Sequence, residues 1–214
     1  MKDRKKVILK VCGMKSSDNI LEVAKLCPEY MGFIFFRGSK RYVGDEFIIP
    51  NEFPKTIRKV GVFVNDSTNE IIRLANKHRL DFIQLHGDEL VTQCEELRGN
   101  GLKVIKAFSI DGNFVFEAIK EFKNHVDFFL FDTKGGEYGG NGVLFDWNIL
   151  RAYDQQIPFF LSGGISVDNI ENLSVLNGMN LHAIDVNSRV ESSVAVKDTD
   201  LVARLIDKLK IVNQ

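Results

Sequence analysis

Cys12 and Asp132 stand where a polar side chain has no packing reason to be, each at the end of a short apolar run, VILKVCG and FFLFDT. A thiolate is a base and a nucleophile, and a nearby cation favours it over the thiol. Lys10, two residues before Cys12 and so on the same face of a strand, would supply that cation. An acid following Phe128, Phe129, Leu130 and Phe131 stands to lose solvation, and a desolvated carboxyl keeps its proton and can donate it. By the same period of two, Gln84 pairs with His86 and Asp185 with Asn187. Each residue also has an ordinary reading. A cysteine in an apolar run is a small buried hydrophobe, His86 a packed or hydrogen-bonded ring, and Asp132 a cap for the loop behind it.

Such groups act together only if the chain carries them to one place. Eight apolar runs recur, at 7–12, 30–36, 60–64, 82–86, 104–108, 128–131, 158–162 and 183–186. Between most of them lie DNILEVAKLC, TNEIIRLANKH, VFEAIKEF and VDNIENLSVL, with the three-and-four apolar spacing of amphipathic helices. Strands joined by crossover helices lie parallel, and runs apolar on both faces suit a sheet covered on both sides. The pattern predicts an α/β fold, a single (β/α)₈ TIM barrel spanning 1–214 as one catalytic domain, compact beside the roughly 250 residues typical of that fold. An open doubly wound sheet is the structural rival. It fits less well, because no GxGxxG follows the first strand and no acid ends the second.

In a barrel the strand C-termini converge on one face, and three late loops there are rich in glycine or small polar residues: GGEYGGNG, SGGIS and NSRVESS. Glycine lets backbone N–H groups approach an anion, and loops after strands 7 and 8 often hold phosphate. Ser166 reads as the N-cap of a helix starting near Val167. The 28 basic and 29 acidic residues leave a formal charge of -1, which gives nucleic acid or an acidic membrane nothing to bind. Three cysteines without CxxC or a metal-ligand spacing predict neither a metal site nor a disulfide framework. The basic start, MKDRKKVILKVCG, is interrupted by Lys10, and no segment nears the roughly 20 apolar residues of a membrane helix, so a cytoplasmic setting is expected.

KVCGMKSSDNI, GFIFFRGSKRYV, VGVFVN, IQLHGDE, FDTKGGEYGGNGVLFDW, SGGISVDNI and IDVNSRVES resemble, in order and spacing, the motifs of phosphoribosylanthranilate isomerases of tryptophan biosynthesis. The resemblance runs from Lys10 to Glu191. It implies a barrel without cofactor or metal that carries out an Amadori rearrangement of N-(5-phosphoribosyl)anthranilate to 1-(2-carboxyphenylamino)-1-deoxyribulose 5-phosphate. Cys12 is then the general base and Asp132 the general acid. Arg41 pairs with the anthranilate carboxylate, and Lys10, His86 and Asp185 complete the substrate-binding set. Gly142, Gly163, Gly164, Asn187 and Ser188 fall in phosphate-binding loops. The implied partner is a small phosphosugar, and the chain is expected as a monomer or homodimer. Lys40, Asn141, Val143 and Arg189 depart from the family pattern, and Arg189 puts a cation beside the expected phosphate or points to solvent. The related isomerase of histidine biosynthesis would need an aspartate where Cys12 stands. A silent phosphate-binding protein would need neither Cys12 nor Asp132.

Overall fold

Phe129 and Phe131 pack outward against the helical layer, whereas Phe128 lies against the inner cluster that holds Leu130 on the barrel axis. One apolar run thus serves two cores, which is why the strands show no simple alternation. The computed structural model describes residues 6–133 and 146–213. Strands Ile8–Val11 (β1), Tyr30–Ile34 (β2), Arg58–Phe63 (β3), Phe82–Leu85 (β4), Lys103–Ile110 (β5), Phe128–Thr133 (β6), Phe159–Ser162 (β7) and Leu181–Val186 (β8) pair in parallel in sequence order. The sheet closes where β8 pairs with β1. Inside, Tyr30, Val60, Phe82, Ile105, Leu130 and Phe160 fill the axis, with the Tyr30 ring edge-on to Phe82 and Phe160. That apolar plug is the floor on which the polar strand ends stand.

The helical layer is less regular than the repeat predicts. Helices Ser17–Ala24 (α1), Thr68–His78 (α2), Val91–Gly99 (α3) and Thr199–Val212 (α4) are α-helical, but the crossovers Phe116–Phe122, Trp147–Ala152 and Ile170–Leu176 are 3₁₀ segments. The helix expected from Val167 begins at Ile170, because polar side chains capture the backbone first. Ser166 Oγ accepts from the Asp168 N–H and Asn169 Oδ1 from the Ser166 N–H. Among the described residues, no helix links β2 to β3. The segment NSRVESS also forms more than a loop. It holds a 3₁₀ turn, Ser188–Val190, and the first strand of a small hairpin, Glu191–Ser193 (β9) with Val196–Lys197 (β10). Asn19 of α1 fastens this hairpin from both sides, its Oδ1 accepting from the Lys197 N–H at 2.7 Å and its Nδ2 donating to the Lys197 carbonyl at 2.8 Å.

The loop after β4 is held by a buried ion pair. Lys106 on β5 donates to Glu89 Oε2 at 2.9 Å and to the Gly87 carbonyl at 2.7 Å, while Glu89 accepts from the backbone of Asn65 and Gly87. Breaking a buried pair from one side strands the other charge. Glu89→Ala should therefore lower the unfolding free energy by about 3–5 kcal/mol in urea titrations, and the double variant Glu89→Leu/Lys106→Met should recover most of that loss.

Candidate active site

The last inward-facing residues of the strands line a cavity of about 290 Å³, among them Cys12, Gln84, His86, Asp132 and Asp185. β1 ends just before Cys12, whose backbone N–H donates to the Val186 carbonyl at 2.8 Å, and Gly13 then turns the chain with φ 77°. A Cβ on Gly13 would lie 2.5 Å from Asn187 Oδ1 and 2.7 Å from Arg41 Cδ, so only glycine fits both the conformation and the space. Gly32 makes room on the other side, since a Cβ there would stand 2.6 Å from Cys12 Sγ. Gly32 opens the GFIFFRGSKRYV motif, but its reason shows only in the fold, because what it accommodates is the residue that follows the neighbouring strand.

Lys10 does not reach the ligand space as expected. It is 0% exposed, one layer below Cys12, and its Nζ donates to Asp185 Oδ2 at 2.7 Å. Burial works against its charge, but the Asp185 carboxylate and Cys12 outweigh that and hold Lys10 above its ordinary value. Asp185 lines the cavity, and its Oδ1 is buried without a hydrogen-bond partner among the described residues. The expected bias of Cys12 toward thiolate is also corrected. Burial pushes the thiol up, and Lys10 and Lys197, which pull the other way, do not offset it.

Across the cavity, Asp132 follows Phe128 and Leu130 on the inward face, so Phe129 and Phe131 lie on the far side of the strand. Its side chain is 33% exposed rather than enclosed by the aromatic run that precedes it. His86 faces it, with Nε2 3.4 Å from Asp132 Oδ2, and Nδ1 of the same ring is 2.7 Å from Gln84 Nε2. Ser162 at the end of β7 and Gly163 and Gly164 after it bound the cavity, the glycines at φ 102° and 68°, and Asn187, Ser188 and Arg189 bound it after β8. Arg189 is exposed and lines the cavity. Asn187 Oδ1 accepts from Lys197 Nζ at 2.7 Å, which commits that side-chain atom to the protein. Gly142, Asn141 and Val143 lie outside the described residues.

Arg41, expected to hold a ligand carboxylate, already grips one. Its Nε and Nη2 donate to Glu191 Oε1 and Oε2 at 2.8 and 2.6 Å, and Lys197 Nζ donates to the same Oε1 at 2.6 Å. Burial pushes Glu191 up, but these donors outweigh it and hold the carboxyl below its usual range. Lys197, fully buried, escaped the sequence reading because a lone lysine in a polar stretch looks solvated. Among the described residues no cluster of His, Cys, Asp and Glu could hold a metal, and no helix is long and apolar enough to cross a membrane.

Residues 9–208 match the model of the N-(5'phosphoribosyl)anthranilate (PRA) isomerase family. The chain is 40% identical over 209 residues to the N-(5'-phosphoribosyl)anthranilate isomerase of Parabacteroides distasonis, covering 95% of this chain and 93% of that protein. The crystal structure of phosphoribosyl anthranilate isomerase from Thermotoga maritima superposes with a TM-score of 0.81 at 30% identity, covering 95% of this chain and 98% of that one. A phosphoribosyl anthranilate isomerase solved in complex with reduced 1-(o-carboxyphenylamino)-1-deoxyribulose 5-phosphate superposes with a TM-score of 0.78 at 27% identity over the same shares.

The raised Cys12 thiol has a direct readout. In a Cys27→Ser background, which removes the exposed cysteine, iodoacetamide should modify Cys12 slowly at neutral pH. The rate should climb with pH along a limb above the ordinary cysteine range of about 8.5, because only the thiolate reacts.

Proposed function

The chain belongs to the N-(5'-phosphoribosyl)anthranilate isomerase family, and we propose that it rearranges N-(5'-phosphoribosyl)anthranilate with Asp132 as general acid and Cys12 as general base. The observation that carries this reading is that both side chains line one cavity at the strand ends, with the loops after β7 and β8 on its rim. Asp132 gives a proton to the furanose ring oxygen as the C1–O bond breaks, and the nitrogen lone pair forms the C1=N bond of a Schiff base. The Cys12 thiolate then takes the proton from C2, and those electrons move to give an enolamine that tautomerises to the 1-amino-2-ketose. A buried thiol that resists ionisation yields a strong base once ionised, and Lys10 and Lys197 keep the thiolate within reach.

The same cavity suits the rest of the substrate. Gly163, Gly164 and Ser188 offer the phosphate a rim with few side chains, and Arg189 brings a cation to it. Arg41 Nη1 takes no part in the Glu191 pair, and it is the atom we assign to the anthranilate carboxylate.

In an assay that follows loss of anthranilate fluorescence, the wild type should turn over, and an inactive wild type would overturn the reading. Cys12→Ala and Asp132→Asn should each lose about 10²- to 10⁴-fold in kcat, while binding the reduced ketose phosphate within a few-fold of wild type. Arg189→Gly should weaken that ligand several-fold at low ionic strength and much less at high salt, as screening predicts for an exposed cation. Unchanged affinity at low salt would assign Arg189 to solvent.

A further inference from the structure

Gln84 precedes His86 on the inward face of β4 and is 1% exposed, yet it lines the cavity. Its two amide atoms have unlike surroundings. Nε2 lies 2.7 Å from His86 Nδ1, whereas Oε1 is buried without a partner among the described residues. The opposite amide orientation would bury an NH₂ group with both donors unmet. Orphaned donors are rarer in folded proteins than under-used acceptors, so hydrogen-bond accounting selects the orientation observed. Gln84 then donates, His86 Nδ1 accepts, and the ring proton of a neutral imidazole must sit on Nε2, the nitrogen facing Asp132 Oδ2 at 3.4 Å. The main chain that carries the ring is fixed as well, the His86 backbone N–H donating to the Phe63 carbonyl at 2.9 Å.

We propose that Gln84 is a positioning residue for the acid: its amide holds His86 as the Nε2–H tautomer, so that the imidazole anchors Asp132 Oδ2 and leaves Oδ1 to deliver the proton. The catalytic part rests on the isomerase reading above. The long 3.4 Å separation shortens when the ligand excludes water, as catalytic hydrogen bonds in open sites commonly do. After proton transfer the same N–H faces the new carboxylate, so it stabilises the acid's product state as well as its geometry.

The tautomer is measurable without turnover. Long-range ¹H–¹⁵N correlation spectra at a pH where imidazoles are neutral, with the His86 signals assigned by their loss in His86→Gln, should show Nε2–H in the wild type. Gln84→Glu, nearly isosteric, replaces the donor by an acceptor and should shift the ring toward Nδ1–H. A wild type in the Nδ1–H form, or no change in Gln84→Glu, overturns the proposal. In turnover, Gln84→Met should cost up to about a hundredfold in kcat. The double variant Gln84→Met/His86→Gln should be no slower than His86→Gln alone, and losses that multiply would mean that Gln84 does not act through His86. An inactive wild type would count against the isomerase reading, whereas the tautomer is a property of the resting protein and is decided on its own.

Discussion

A buried ion pair crosses the seam at which the barrel closes. Lys10 on β1 and Asp185 on β8 are register partners, their side chains meet at 2.7 Å, and Cys12 sits in the layer above them. Taking both charges out of water costs several kcal/mol each; at close range the carboxylate holds Lys10 charged, whereas burial keeps the Asp185 carboxyl above its ordinary value despite the pull of Lys10. Neither side chain is replaceable alone. The pair also leaves Asp185 Oδ1 buried without a hydrogen-bond partner among the described residues, and it places a cation beneath a thiol that burial nonetheless holds above its ordinary value. Closure of the sheet and electrostatics of the base are thus one arrangement.

Around that seam, the protein uses carboxylates to hold cations rather than leaving them to the ligand. Glu191 collects Arg41 and Lys197, and Glu89 collects Lys106 together with two backbone N–H groups. Each hub ties elements far apart in sequence: the loop after β2 to the hairpin after β8, and the loop after β4 to β5. The site is stiffened from its rim as well as from its floor. Such fixed dipoles and charges need little rearrangement when charge develops on a reacting group.

The barrel, and the place of Cys12 and Asp132 at its strand ends, are legible in the sequence because they depend on local signals. Eight apolar runs became eight strands, and Cys12 and Asp132 stood out as polar ends of such runs. Period-two counting put Gln84 and His86 on one face, and that is where they lie. Such counting does not tell depth, however: Lys10 shares the face of Cys12 but is 0% exposed and is not among the residues that line the cavity. Nor could it tell which phenylalanines surround Asp132, since adjacency in sequence means opposite faces in a strand. The roles of Gly32 and Lys197 were invisible for a different reason, because they are defined only by residues brought near them by folding. The 3₁₀ crossovers were missed where Ser166 and Asn169 compete for the backbone that a helix needs.

The reciprocal hydrogen bonds of Asn213 with the Val7 backbone, both 2.9 Å, continue the β1–β8 seam to the end of α4. During synthesis β1 emerges first and waits for its second partner strand until nearly the whole barrel has been made. The Cys12 thiol therefore spends most of translation without the carboxylate that holds its cation, and it acquires its final reactivity only when the 175-residue gap between Lys10 and Asp185 is closed. Contacts of such long range form slowly, because the entropy of loop closure must be met first. Chemical competence in this chain is accordingly a late event, a property of the closed ring and of none of its parts.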